Sequence, residues 1–344
     1  MDERPSAILA QPAAAGRASG LPGMVFARAG ETPEEPALFY PEGMDVRWRS
    51  WGVLAAQAAA GAEALAALGL PPGARVAFRW RPEPDAVAAD LAIQAAGLVA
   101  VPSVAPGAAA VGGAAVPEPP APEARLLAPD EPEPEDGPPA ARLPAASGEV
   151  GGGRASAPPA LPGTAGGAWI VDVASGPGAG TGRGAVVGAA DLLARVRDLE
   201  EHLARAASGA AAVMAGARRA PGTGGREIAA ASFDLRYADG RTFLAWALAT
   251  GAALFLEPDP HVLPGSVAWA RPTLVAGEAR ILAELGRRVR ALEGKRPRLR
   301  RRRSRSALPF ERLHLLLVLG TGRLPVDDVA FWAGRGVAVA RASG

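Results

Sequence analysis

The stretch Ser175-Gly176-Pro177-Gly178-Ala179-Gly180-Thr181-Gly182-Arg183-Gly184 has the residue types and spacing best suited to chemistry in this sequence. Alternate glycines leave the backbone bare, and bare N–H groups converging at a loop bind phosphate oxygens. Residues 168–174 read as a short buried strand before the loop, and residues 191–206 read as a helix after it. Strand, glycine loop, helix is the arrangement of a phosphate cradle. The cation at its end is Arg183. Lys295 is the only lysine of the chain, so chemistry that needs a loop lysine is excluded. The spacing fits neither the dinucleotide fingerprint nor the Walker loop, which requires Gly-Lys-Ser or Gly-Lys-Thr.

Other chemistries are excluded or weakly supported. The chain has no cysteine, which removes disulfides, thiolate nucleophiles and thiolate metal sites. His202, His261 and His314 are scattered without ligand spacing, so no metal site is expected. No Gly-x-Ser-x-Gly elbow is visible. Asp327-Asp328 reads as the acidic start of a helix, where carboxylates suit the dipole. The run from Lys295 to Arg305 could meet a polyanion or anionic lipid through phosphates, with steep salt dependence. It lacks interleaved aromatics, so it reads as a solvated loop, and nucleic acid is not expected as a partner. Trp246, Trp332 and His314 read as core.

The elements that must hold the loop follow from periodicity. Ser50 can cap a helix that runs to Leu68 before Gly69-Leu70-Pro71-Pro72-Gly73 stops it. Residues 75–78 are a strand, Pro84 opens a second helix, and residues 98–102 are the next strand. Further strands are expected at 228–233, 252–256, 313–319 and 337–340, and further helices at 242–250, 278–292 and 326–333. Helix alternating with strand over short connections predicts an α/β fold with parallel-sheet layers and flanking helices. The domain reading is a disordered leader at 1–28, a first α/β segment at 29–106, a Pro/Ala/Gly-rich linker at 107–165 and a second α/β segment at 166–344. The apolar fraction is 49%, mostly alanine and glycine, with aromatics only 5%. No apolar run approaches the roughly 20 residues of a membrane helix. The charged N-terminus does not read as a signal peptide, so a soluble cytoplasmic protein is expected.

These landmarks together resemble the adenylate-forming (AMP-binding) superfamily, in particular the N-terminal portion of long-chain fatty acid–CoA ligases. Leu68-Gly69-Leu70-Pro71-Pro72-Gly73-Ala74-Arg75-Val76-Ala77 is similar to the family's "LG-x-x-PGDRVA". Arg81-Pro82-Glu83, Asp90-Leu91-Ala92-Ile93, Ala96-Gly97 and Val101-Pro102 are similar to its "RPE…DLAI…AG…VP". The glycine loop stands at the "SGTTG-x-PKG" phosphate loop, Asp191-Leu192-Leu193 at "NLL", Gly251-Ala252 at "GA", Arg271-Pro272-Thr273 at "RPT", and Gly320-Thr321-Gly322-Arg323-Leu324-Pro325 at "GGAPLP". The resemblance covers residues 35–105 and 166–344.

It implies ATP-dependent activation of a fatty or other carboxylic acid to an acyl-adenylate and then acyl-CoA, with ATP and Mg²⁺ as cofactors. By that resemblance Ser175, Gly176, Thr181, Arg183 and Gly184 face phosphates, and Gly320, Thr321 and Gly322 border an adenine and acyl pocket. The departures are Pro177 and Gly178 at the paired threonines, Arg183 near the lysine, and Tyr237 at the histidine of "LPLSH". Ala342-Ser343-Gly344 stands at "GYG", and the family's metal-binding glutamate and catalytic-lysine domain lie beyond it. The expectation is a degenerate, truncated relative, inactive alone, with a separate C-terminal polypeptide as one candidate partner and the choice between pseudoenzyme, split-enzyme half and truncated product left open by the sequence. The alternatives are a non-catalytic nucleotide- or acyl-binding regulatory module, and a polyanion binder acting through the 295–305 run.

Overall fold

The computed structural model describes residues 20–103, 122–131, 138–145, 167–172, 183–213, 227–294, 310 and 312–342. In chain order these form α1 (Leu21–Glu31), β1 (Pro36–Glu42), β2 (Asp45–Ser50), α2 (Trp51–Ala66), β3 (Arg75–Arg79), α3 (Pro84–Ala95) and β4 (Val99–Ser103). There follow β5 (Ala124–Leu127), β6 (Ala140–Arg142), β7 (Gly167–Asp172), β8 (Arg183–Gly188), α4 (Ala189–Val213), β9 (Ile228–Ala231), α5 (Ala238–Thr250) and β10 (Ala253–Leu256). The last are α6 (Leu263–Ala270), β11 (Leu274–Glu278), α7 (Ala279–Gly294), β12 (Leu315–Leu319), α8 (Val326–Ala333) and β13 (Ala338–Arg341).

Local signals account for most of these boundaries. The Ser50 hydroxyl accepts the Val53 N–H at 3.2 Å and caps α2. Pro84 stands in the first turn of α3, where its missing N–H has no cost. Gly251, in the left-handed conformation, ends α5. Every residue of β12 is buried, as a parallel strand covered on both faces requires.

Among the described residues the strands form two sheets. One has the order β13-β12-β11-β9-β10-β1-β2, and the other β6-β5-β3-β4-β7-β8. Each is parallel except for one edge strand: β2 runs antiparallel to β1, and β8 antiparallel to β7. The alternation of side chains in the seven-stranded sheet serves two cores. Leu254, Leu274, Leu315 and Leu317 face a large core that also takes Val76, Phe78 and Ala100 from the six-stranded sheet. Phe255, Val275, Leu316 and Val318 face a smaller core with α6, α7 and α8. At the border between the sheets the Trp80 indole N–H donates to the Phe233 carbonyl at 3.2 Å. Trp80, Phe233, Phe243 and Trp246 continue as a chain of ring contacts, with centroids 5.6 to 5.7 Å apart.

The α/β class with parallel sheets flanked by helices stands as expected, and four expectations need correction. The glycine loop does not run directly into a helix: β7 and β8 form an antiparallel pair around it, and α4 starts only at Ala189. Val186 and Val187, between two glycines, are β-branched and favour the extended chain there. The stretch taken as a 107–165 linker contains β5 and β6, which extend the six-stranded sheet. Ala124, Leu126 and Leu127 are buried, and surrounding proline and alanine hid that short apolar run. The leader taken as 1–28 already contains the start of α1, whose Leu21, Val25 and Phe26 enter the large core. The division into a first and second segment is not a division of the fold, because β1 and β2 complete the sheet formed by residues 228–341, and β7 and β8 complete the sheet begun by β3. None of the described helices is long and apolar enough to cross a membrane.

Candidate functional site

In an open parallel sheet, ligands bind beyond the carboxyl ends of the strands, where successive connections turn to opposite faces. The seven-stranded sheet has that point between β9 and β11. The helix after β9, α5, packs in the large core, and the helix after β11, α7, packs in the smaller core on the other face. The loops leaving these neighbouring strands therefore diverge and open a crevice.

The β9 side of the crevice is the turn Phe233-Asp234-Leu235-Arg236-Tyr237. Asp234 holds it: its carboxylate accepts the Arg236 N–H at 2.9 Å and pairs with the Arg236 guanidinium at 2.6 Å. The Tyr237 N–H returns to the Asp234 carbonyl at 3.2 Å. Gly240, in the first turn of α5, lies flat against that same carbonyl, and a Cβ there would collide with it. The turn thus delivers Tyr237 with little freedom. Its hydroxyl is buried and has no hydrogen-bond partner among the described residues. Burial raises the phenol above its ordinary pKa, and the negative charges of Asp234 and Glu278 add to the rise against the opposing effect of Arg236. The Arg236 guanidinium lies 6.0 Å from the Tyr237 ring centre.

Glu278 ends β11 and pairs with Arg280 at 2.9 Å. Beside it, β12 runs into Gly320-Thr321-Gly322. Gly320 has φ 79°, and its N–H donates to the Asp239 carboxylate at 2.8 Å. Gly322 approaches α7 so closely that a Cβ would lie 2.9 Å from that of Ala279.

The crevice therefore gathers Tyr237, Glu278 and the Gly320, Thr321 and Gly322 turn. Arg183 and Gly184 lie on β8 of the other sheet, in register with Asp172 and Val171. Ser175, Gly176 and Thr181 lie outside the described residues. Asp239 and Glu278 were missed from sequence. An acid in the first turn after Tyr237, and one closing the Leu274 to Gly277 apolar run, were the available signals. Asp328 does sit in the first turn of α8, as its helix-start reading requires.

Asp234 and Glu278 are taken by arginines and Asp239 by a backbone N–H. No group of three potential ligands converges among the described residues.

Comparison with known proteins decides the fold. The chain superposes on CmiS6 with TM-score 0.61 at 23% identity, covering 94% of this chain and 70% of that one. This is the fold of the adenylate-forming enzymes. A fatty acyl-adenylate ligase from L. pneumophila, solved with acyl adenylate and pyrophosphate, matches with TM-score 0.60 at 15% identity over 92% of this chain and 52% of its own. The N-terminal domain of FACL13 from Mycobacterium tuberculosis matches with TM-score 0.57 at 15% identity, over 94% of this chain and 75% of that domain. The sequence profile of the family described as AMP-binding enzyme matches residues 25–108. No curated protein sequence matches. The chain spans about half the length of the ligase and 75% of the FACL13 N-terminal domain.

Proposed function

We propose that this chain carries the nucleotide- and acid-binding domain of an enzyme that activates a carboxylic acid. A fatty or other carboxylate attacks the α-phosphorus of ATP, releasing pyrophosphate and leaving an acyl-adenylate. Coenzyme A thiol then displaces AMP to give acyl-CoA. The observation that carries this reading is the crevice between β9 and β11, which gathers Tyr237 and the Gly320 turn on a fold shared with a ligase holding acyl adenylate and pyrophosphate.

In this reading Gly320, Thr321 and Gly322 border the adenine and the acyl group, and Ser175, Gly176, Thr181, Arg183 and Gly184 meet the phosphates. Tyr237 has a hydroxyl without a partner among the described residues, so it can donate to a substrate oxygen without breaking a described hydrogen bond. Turnover needs donors around the departing pyrophosphate. Pro177 has no N–H and Gly178 no hydroxyl, and an arginine fork does not reproduce a lysine point charge. On these grounds the chain is expected to bind nucleotide and acid without turning them over.

The test is calorimetry with ATP and with an acyl-sulfamoyl adenosine, beside an assay of acid-dependent ATP–pyrophosphate exchange. Saturable binding of both compounds without exchange is expected. Binding of neither overturns the reading, and exchange above a heat-treated control overturns the inactivity.

A further inference from the structure

The Gly320 turn is anchored unequally on its two sides. Towards α7 it is fixed by packing, because Gly322 sits against Ala279 and the side chain of Leu324 is buried. Towards α5 it is held by the 2.8 Å hydrogen bond from the Gly320 N–H to the Asp239 carboxylate, which joins residues 81 apart in sequence. Gly320 is left-handed, and that conformation aims its N–H at α5. Asp239 in turn belongs to the helical turn that Gly240 locks against Asp234. The chain Asp234, Gly240, Asp239, Gly320 thus connects the two lips of the crevice.

We infer that Asp239 is a positioning residue, which sets the distance between the Tyr237 turn and the Gly320 turn and so the fit of the nucleotide base. The inference rests on the nucleotide-binding reading above. A carboxylate in the first turn of a helix also suits the helix dipole, so Asp239 is held on α5 whether or not the turn is present. The α5 side therefore acts as the fixed post and the Gly320 turn as the part it holds. Without the acceptor, the turn keeps its α7 anchor and can swing away from α5. That motion opens the base side of the crevice and leaves the phosphate side alone.

The split between base and phosphates gives a test that general destabilisation does not mimic. The full 344-residue chain is titrated with ATP and, separately, with inorganic tripolyphosphate, as wild type, Asp239→Ala and Asp239→Asn. ATP affinity is expected to fall about 5- to 10-fold in Asp239→Ala, the range of one hydrogen bond to a partly exposed charged acceptor. Asp239→Asn keeps an acceptor oxygen and stays within about 3-fold of wild type. Tripolyphosphate affinity is expected to be equal in all three. The Gly320 amide, followed by hydrogen exchange, exchanges faster in the alanine variant only.

A wild-type chain that binds ATP while Asp239→Ala binds it equally well overturns the positioning role and leaves the nucleotide reading standing. Equal losses for ATP and tripolyphosphate overturn it as well, since they mark a global effect. A wild-type chain that binds no ATP overturns the nucleotide reading and this inference with it, even if the Gly320 amide still reports the contact.

Discussion

Asp90 on α3 and Arg241 on α5 form an ion pair in which neither side chain reaches solvent. Gln94 supports Asp90 through its amide at 2.8 Å, while Nε and Nη2 of Arg241 have no partner among the described residues. The pair ties the helix between β3 and β4 to the helix that carries the Tyr237 turn. A buried charge stripped of its partner costs about 3–5 kcal/mol. Asp90→Ala and Arg241→Leu should each lower the unfolding free energy by that amount in urea denaturation. The double variant Asp90→Leu/Arg241→Leu should recover at least half of it, because the two guanidinium nitrogens without a described partner leave with the charge. A loss below about 1 kcal/mol for Arg241→Leu alone would show that the Asp90 carboxylate finds water or a proton once its partner is gone.

Two glycines should respond to alanine in opposite directions. Gly30, in the last turn of α1, has open space where a Cβ would stand, so Gly30→Ala should stabilise by roughly 0.5–1 kcal/mol through helix propensity. Gly240→Ala places a methyl against the Asp234 carbonyl, and overpacking of this kind costs about 1–3 kcal/mol. Thermal melts of the two variants compare them directly. A Gly240→Ala chain as stable as wild type would mean that the Asp234 turn yields easily, and the rigid delivery of Tyr237 would then be wrong.

The long periodic elements were legible because their burial is set by their own residues. Ser50, Pro84 and Gly251 mark α2, α3 and the end of α5 as caps and stops should. The five apolar residues of β12 could hardly be anything but a buried strand. β5 and β6 were not legible, since a strand of four or three residues gains stability from its neighbours and not from local propensity. Arg75 with Glu123, and the register of Val76 with Ala124, hold β5 to β3 across almost fifty residues. The crevice was half legible. The Gly320, Thr321 and Gly322 motif was visible, but Asp239 and Glu278 carry no pattern until the strand order places them beside it.

Tyr237 should titrate late. Burial favours the neutral phenol in the folded chain, so the folded pKa lies above that of the unfolded chain, which is about 10. The stability due to this shift is complete below the unfolded value and is lost as pH rises through the folded one, where the unfolded chain has already released its proton. Tyr40 and Tyr237 are the two tyrosines of the sequence, so Tyr237 alone reports in a Tyr40→Phe chain. Its ultraviolet phenolate transition should have a midpoint above 10 in the folded protein. A midpoint at or below the ordinary value would place the ring in water.

The Tyr237 hydroxyl, without a partner among the described residues, sets stability against binding. A buried donor with no acceptor costs about 1–3 kcal/mol relative to an apolar group of the same shape. Tyr237→Phe removes the donor and keeps the ring, so the variant should be more stable than wild type by roughly 1 kcal/mol. If the hydroxyl is kept for a substrate oxygen, the same change should weaken binding of an acyl-sulfamoyl adenosine by about 10-fold, at about 1.4 kcal/mol per decade. Tripolyphosphate, which has no acyl group, should bind the two proteins equally. Urea denaturation and calorimetry on the same pair of proteins measure both sides. A Tyr237→Phe chain that is less stable by more than about 1 kcal/mol would mean that the hydroxyl already has a partner inside the fold, and it would no longer be the group that waits for substrate.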